Sequence, residues 1–229
     1  MIENRDLYNH LAKGYNQRQE NPATSILRGK EKELMQRASG LVLDLGCGTG
    51  YHLDFAENVV GLDISEKILH VAKTKNKTLV QGDIENLPIK NSCVDTVCCF
   101  YGTLNIIDLE MSVEEISRIV KVNGNVLLSV TSVMDIDKYR SSQENKIKKF
   151  RLEGKPVKTR LFEKEEIVEK FFQKGFRLKY FDSIFRIQKP RWGNFRSFSP
   201  WEKFKLKIEK VFPKKWGKIY LMVFEKYKD

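Results

Sequence analysis

The chain reads as an α/β protein: a mostly parallel sheet with helices packed on both faces. Three observations predict this. Apolar runs at Leu41–Leu45, Val59–Asp63 and Val94–Phe100 are each followed by polar or periodic stretches. Near-continuous apolar strands of this kind suit a sheet covered on both sides, with amphipathic helices as the covers. The first run opens into a loop with glycine at alternate positions, Gly46, Gly48 and Gly50, where the backbone can turn tightly and lie against a ligand. Finally, 229 residues at 41% hydrophobic and 31% charged content are enough for one folded domain with room for an excursion.

Taken in order, residues 3–37 form a helical cap interrupted near Asn21-Pro22. Tyr8, Leu11, Ala12 and Tyr15 share one face, and Ile26, Leu27, Leu34 and Met35 pack beside the first strand. In the glycine loop the pattern is D-x-G-x-G-x-G. The dinucleotide fingerprint G-x-G-x-x-G places its last glycine one residue later, so this loop reads as a nucleoside site without a phosphate. A crossover helix over Tyr51–Glu57 would aim its free N–H groups and positive dipole end at the ligand. Asp63 closes the second strand, where a carboxylate can accept hydrogen bonds from both hydroxyls of a ribose. Ser65 then caps a helix over Glu66–Thr74.

Lys77–Val80 is the third strand and Val94–Phe100 the fourth. Tyr101–Asn105 falls beyond the fourth strand's carboxyl end, where open α/β sheets bind ligands. A capping box at Ser112–Glu115 opens a helix with Ile116, Ile119 and Val120 inward and Gly124 as its left-handed cap. Asn125–Val130 is the fifth strand, and residues 131–162 are basic and irregular. Glu163–Phe172 is amphipathic, with Ile167, Val168, Phe171 and Phe172 inward and Gly175 past its end. Phe176–Phe181 and Ile219–Glu225 are the sixth and seventh strands.

Several of these stretches carry a family likeness. Leu41–Gly50 resembles motif I of class I S-adenosylmethionine-dependent methyltransferases of the small-molecule type, in the form VLDLGCGTG. Gln81-Gly82-Asp83-Ile84 with Leu87-Pro88 resembles that family's G-D-A-x-x-L-P, Ile84 replacing alanine. Arg118–Asn125 resembles R-x-L-K-P-G-G, Val122 replacing proline. Tyr8, Ala12, Tyr15 and Arg18 resemble the segment that covers the cofactor. The likeness spans about residues 8–130 and 160–182.

The resemblance implies a Rossmann-like class I methyltransferase fold of seven strands, the seventh antiparallel between its neighbours. It implies S-adenosyl-L-methionine as cofactor, held by Tyr15, Asp44, Gly46, Cys47, Gly48, Gly50, Asp63, Ile64, Asp83, Ile84, Phe100 and Tyr101. Asp83 would take the adenine amino group, and Ile84 would give its N–H to the ring. The domain plan is a single unit: cap 1–37, cofactor core 38–130, and substrate-side insertions at 131–162 and 183–218. No residue announces itself as a catalytic base; His52, Tyr101, Tyr8 and Tyr15 lie near the expected pocket. The motifs of amino-base and cytosine-5 methylation are absent, which leaves Cys99 as a core thiol.

Charge placement bears on the acceptor. The net charge is +11, yet residues 1–137 carry 14 Lys+Arg against 19 Asp+Glu, while residues 138–218 carry 25 against 9. That asymmetry points to an anionic partner: nucleic acid, an anionic lipid surface, or an anionic small substrate. A lysine-rich solvated face, as in proteins tuned for heat, is the bland alternative. All three tryptophans, Trp192, Trp201 and Trp216, sit in 183–218 among Phe185, Phe195, Arg186, Lys189, Arg191 and Arg196. Within this insertion Ser199, Pro200 and Glu202 start a helix, with Trp201, Phe204, Ile208, Val211 and Phe212 as its stripe and Lys203, Lys207 and Lys210 outward. The stripe could pack on the domain, lie on an anionic membrane, clamp single-stranded RNA, or roof a small substrate.

The expected function is methyl transfer from S-adenosylmethionine to a small, anionic acceptor. RNA methylation and a non-catalytic nucleic-acid or lipid-binding module are the alternatives. Intact Asp44, Asp63 and Asp83 speak against the last. No apolar run reaches the roughly 18–20 residues of a membrane span, and the polar N-terminus lacks a signal peptide. Cys47, Cys93, Cys98 and Cys99 show no C-x-x-C spacing, so reduced thiols in a cytoplasmic protein and no metal site are expected.

Overall fold

The computed structural model describes residues 2–18, 20–135, 146–187 and 197–228. Strands β1 (Val42–Leu45), β2 (Val59–Asp63), β3 (Thr78–Gln81), β4 (Val94–Cys99) and β5 (Val120–Thr131) are followed by a hairpin, β6 (Ile147–Leu152) and β7 (Lys155–Arg160). Two long strands, β8 (Phe176–Ile184) and β9 (Ile219–Lys226), come last. Seven of the nine form one sheet in the order β3-β2-β1-β4-β5-β9-β8. The first five are parallel, and β9 runs antiparallel to both β5 and β8. This is the seven-stranded sheet with an inverted seventh strand that the sequence implied.

Period-two alternation sends successive strand residues to opposite layers. Leu43, Leu45, Val97, Cys99, Val126, Leu128, Met222 and Phe224 join one core cluster. Val42, Cys98, Leu127, Leu221 and Val223 join the other. Helices α1 (Ile2–Leu11), α2 (Tyr15–Arg18) and α3 (Pro22–Met35) form the N-terminal cap. They are followed by α4 (Glu66–Ala72), α5 (Leu109–Ile119), α6 (Lys164–Gln173) and α7 (Pro200–Ile208). Asn21 caps α3 by accepting from Thr24 N, with Pro22 in the first turn, so the sequence break there is a helix start.

Several expectations need correction. The crossover helix over 51–57 is a single 3-10 turn, His52–Phe55, because β2 begins at Val59 and leaves too little chain for an α-helix. Asp108, not Ser112, caps α5 by accepting from Met111 N; the Ser112 hydroxyl donates back to Asp108 O inside the first turn. That helix stops at Ile119 and passes straight into β5. Asn123 holds the left-handed conformation at φ 67°, which asparagine tolerates. Gly124 is needed for another reason: a Cβ there would lie 2.8 Å from Asp95 O. Residues 147–160 of the supposedly irregular stretch are a hairpin, turning at Glu153 and Gly154, both with positive φ. Phe172 is 59% exposed, since it is one position round the helix from Phe171, which stacks on Phe224 with ring centroids 4.4 Å apart.

In the second insertion, Ser199 and Glu202 form the expected capping box. Trp201, Phe204 and Val211, however, stay exposed and do not pack on the domain. Arg186 is buried and serves as an internal clasp. It pairs with Asp182 and donates to the carbonyls of Ser183, Glu209, Lys210 and Phe212. Lys138, Arg140, Lys189, Arg191, Trp192, Phe195 and Arg196 lie outside the described residues. No helix among the described residues is long and apolar enough to cross a membrane.

Buried Asn105 ties three elements together beside the sheet's carboxyl edge. Its Nδ2 donates to Thr131 O at 2.9 Å and Arg160 O at 2.5 Å, and its Oδ1 accepts from Thr131 N at 2.9 Å. Alanine at this position leaves buried peptide groups unpaired, and we expect a loss of about 2 kcal/mol in urea denaturation.

Candidate functional site

The carboxyl ends of β1, β2 and β4 meet a cavity of about 750 Å³, closed by the N-terminal cap and by the hairpin. Its geometry begins with the glycine loop. Gly46 N and Cys47 N both donate to Leu62 O, at 2.8 and 3.0 Å; Gly48 N donates to Asp63 Oδ2 at 3.0 Å, and Gly50 N to Cys47 O at 2.9 Å. With these donors engaged inside the fold and only a 3-10 turn beyond, the expected array of free helix N–H groups is absent among them. Bare backbone is what the loop offers instead. Gly46, at φ 69°, would place a Cβ 2.7 Å from the Thr103 side chain. Gly48, at φ 54°, has nothing nearer than the Tyr15 ring at 3.9 Å. Left-handed backbone selects glycine there, and the open space is the cavity.

Asp63 sits on the cavity wall at the tip of β2. It accepts from Ser65 N at 2.9 Å as well as from Gly48 N, with the Ile64 backbone beside it, and carboxylate lone-pair capacity remains for a ligand. Burial raises its pKa, and the backbone bonds restrain the rise. Asp44 lies behind the wall, 1% exposed, and its Oδ2 has no hydrogen-bond partner among the described residues. Burial lifts its carboxyl to about 7; the nearby His52 opposes this, while Glu31 and Asp63 add to it.

Of the twelve residues singled out in the sequence, Tyr15, Gly46, Gly48, Asp63, Ile64, Ile84 and Tyr101 line the cavity. Asp44, Cys47, Gly50, Asp83 and Phe100 stand back from it. Asp83 Oδ1 accepts from Glu85 N at 3.0 Å, and Phe100 packs on the His52 ring at 4.8 Å. Three phenols border the site. Burial pushes Tyr8 up to about 12 and raises Tyr15 and Tyr101 too. Tyr101 shares a hydrogen bond of 2.9 Å with the Thr24 hydroxyl. These phenols stay protonated near neutrality and can donate but not take a proton. Cys99, fully buried, is the core thiol expected.

Two parts of the site escaped the sequence reading. One is a buried network beneath Tyr101. Glu31, fully buried on α3, receives Tyr101 N at 3.0 Å and the Ser129 hydroxyl, and meets His52 Nε2 at 3.0 Å. Burial works against a charged His52, yet Glu31 and Asp44 outweigh it and its pKa is raised. His52 is therefore the partner of Glu31, set behind the wall. A charged residue on the inward stripe Leu27–Leu34–Met35 was the available signal. The other part is the hairpin, which brings Lys148, Phe150, Arg151 and Leu152 to the cavity. Its one local signal was the turn pair Glu153-Gly154 in the middle of the basic stretch.

Asp44 and His52 give one pH prediction. Both pKa values are raised on folding, so each contributes stability that is complete in acid and fades as pH climbs through the folded value. For Asp44 the window runs from about 4 to about 7. Without ligand, the melting temperature should fall between pH 5 and pH 8, and Asp44→Asn should flatten that slope in a calorimetric pH series.

Comparison with known proteins bears on the family and the fold. The family described as "Methyltransferase domain" matches residues 43–128. An uncharacterized protein of Methanocaldococcus jannaschii is 32% identical over 196 residues, covering 77% of each chain. A demethylmenaquinone methyltransferase of Lactococcus lactis is 34% identical over 134 residues; the match covers 52% of this chain and 53% of that protein, so the chain spans about half the length of that relative. Among solved structures, a SAM-dependent methyltransferase from Methanosarcina mazei superposes with a TM-score of 0.65 at 16% identity, covering 86% of this chain and 98% of that one.

Proposed function

The chain belongs to the class I S-adenosylmethionine-dependent methyltransferase superfamily, and we propose that it methylates a small acceptor with an apolar body and an anionic group. S-adenosylmethionine is the methyl donor of this family, and when bound it supplies an electrophilic methyl on a sulfonium. The cavity suits it: bare backbone at Gly48 and a wall carboxylate with spare lone-pair capacity at Asp63. Asp63 would take the ribose hydroxyls. Ile84, Ile64, Tyr15 and Tyr101 would border the nucleoside, with Gly46, Cys47, Gly50, Asp83 and Phe100 shaping or supporting the wall.

One observation carries the acceptor reading. The cavity that holds Gly48 and Asp63 is also walled by Leu11, Ile106, Ile107, Phe150 and Leu152, with Lys148 and Arg151 from the hairpin. Apolar walls with a few polar groups are the usual form of a small-molecule site, and the Lys148 ammonium fits an anionic group on the acceptor; Arg151 Nη1 instead donates to Gly154 O in the hairpin turn. A second feature supports it. The protonated phenols and the backbone-tied Asp63 leave no evident base on the described wall, and a base is needed only if the acceptor arrives protonated. An acceptor that is already ionised needs positioning and exclusion of water, which this wall provides.

The demethylmenaquinone methyltransferase likeness is in keeping with an apolar ring as the acceptor's body. The test is transfer of labelled methyl from S-adenosylmethionine into a cell extract separated into small-molecule, RNA and protein fractions. Label should enter organic-soluble small molecules and should fall at least tenfold in Phe150→Ala. Label confined to RNA or protein would overturn the acceptor class.

A further inference from the structure

The exposed face of α7 serves no purpose in the site described. Trp201 is 62% exposed, Phe204 47%, and Val211, just past the helix, 81%. Trp201 and Phe204, three residues apart, stack with centroids 5.3 Å apart and planes 16° from parallel; Lys205 lies over the Trp201 ring. Beside this ridge are the exposed Lys203, Lys207 and Lys210, and Lys215 follows next to the 42%-exposed Trp216. The helix is held from behind, where Leu206 packs on the core and the buried Glu209 meets Arg186 N. Its aromatic and lysine faces are thereby presented outward on a fixed base.

We propose that this face docks on an anionic lipid bilayer. Contiguous exposed aromatics rimmed by polar groups mark an interaction surface. The chemistry of the rim fits anionic headgroups: exposed lysines at Lys203, Lys207, Lys210 and Lys215, against two acids across residues 197–218. One of those acids, Glu202, is engaged in the capping box and the other, Glu209, is buried. Tryptophan favours the membrane–water interface. Val211, 81% exposed, adds aliphatic area that gains by entering lipid and has nothing to offer a nucleic-acid base.

Topology adds a reason for the location. β8 runs parallel to β5, so the insertion leaves at Ile184 on the same carboxyl edge as Asp63, and it returns at Ile219, which lines the cavity beside Thr131. A bilayer bound by α7 would lie on the edge of the sheet where the acceptor enters. The inference stands on the helix and its flanks, whatever the acceptor proves to be.

The experiment sediments the full chain with phosphatidylcholine vesicles and with phosphatidylcholine vesicles containing phosphatidylglycerol, and follows tryptophan emission in parallel. The protein should pellet with the anionic vesicles only, release at high salt, and show blue-shifted emission. Trp201→Ala with Phe204→Ala should lower partitioning at least tenfold. Glutamine at Lys203, Lys207 and Lys210 together should lower it about a hundredfold, at roughly fivefold per lysine near an anionic surface. Unchanged S-adenosylmethionine binding shows that each variant is folded. Failure to pellet, equal pelleting with neutral vesicles, or wild-type pelleting by both variants would overturn the proposal. So would single-stranded RNA shifting the emission when vesicles do not.

Discussion

Alanine in place of Asp63 should lower the affinity for S-adenosylmethionine by a factor of about 10²–10⁴. The estimate rests on two hydrogen bonds from ribose hydroxyls to a carboxylate, each contributing about 1.5–3 kcal/mol, with 1.4 kcal/mol for each factor of ten. Asp63 has the position for both, on the cavity wall with one lone pair per oxygen already accepting Ser65 N or Gly48 N. Those backbone bonds are also why the variant must be melted without ligand: losing them shifts the glycine loop and costs about 1–3 kcal/mol of stability. Asp63→Asn is the sharper companion. Its amide nitrogen would face one of the two backbone donors, so isosteric replacement should also impair binding. Isothermal titration reads affinity apart from stability. An alanine variant that melts lower but binds with unchanged affinity would place the ribose elsewhere.

Much of this was open to a reader of the sequence, and the reason is local. Strands at Val42, Val59, Val94 and Ile219 are apolar on both faces, and burial on two sides leaves a continuous run that few other structures share. Asp63 and the glycines could be placed because they sit at fixed offsets from such strands. What stayed hidden depends on partners far apart in sequence. Glu31 reaches Ser129 across 98 residues, and nothing local says that a glutamate on an apolar stripe has a hydroxyl and an imidazole waiting for it. Helix boundaries failed for a related reason. Ser112-x-x-Glu115 fits a capping box, but the chain was already helical at Leu109. Glu115 instead accepts from Arg118 and from Leu87 N. The basic hairpin was obscured because its strands, Ile147–Leu152 and Lys155–Arg160, are half charged and largely exposed, so they show little alternation beyond Val157.

The second large effect is expected at Glu31. Removing one partner from a buried, hydrogen-bonded charged cluster leaves the rest uncompensated, at a cost of about 3–5 kcal/mol. Glu31→Ala deprives Tyr101 N, the Ser129 hydroxyl and His52 of their shared acceptor, all at buried or half-buried positions. Glu31→Gln keeps the shape and one acceptor oxygen but removes the charge that favours imidazolium. It should recover part of the stability, and the His52 pKa followed by NMR should drop toward or below the ordinary histidine range, because burial then acts unopposed by Glu31. The consequence extends to binding. Tyr101 holds φ at 57°, a conformation disfavoured for a bulky residue, and the network fixes its backbone N–H where the ring borders the cavity. Alanine at Glu31 should therefore weaken S-adenosylmethionine binding even at temperatures where the variant is fully folded. A variant as stable as the parent, with His52 titrating unchanged, would mean that Ser129 alone holds Tyr101 and that the carboxylate is a passenger.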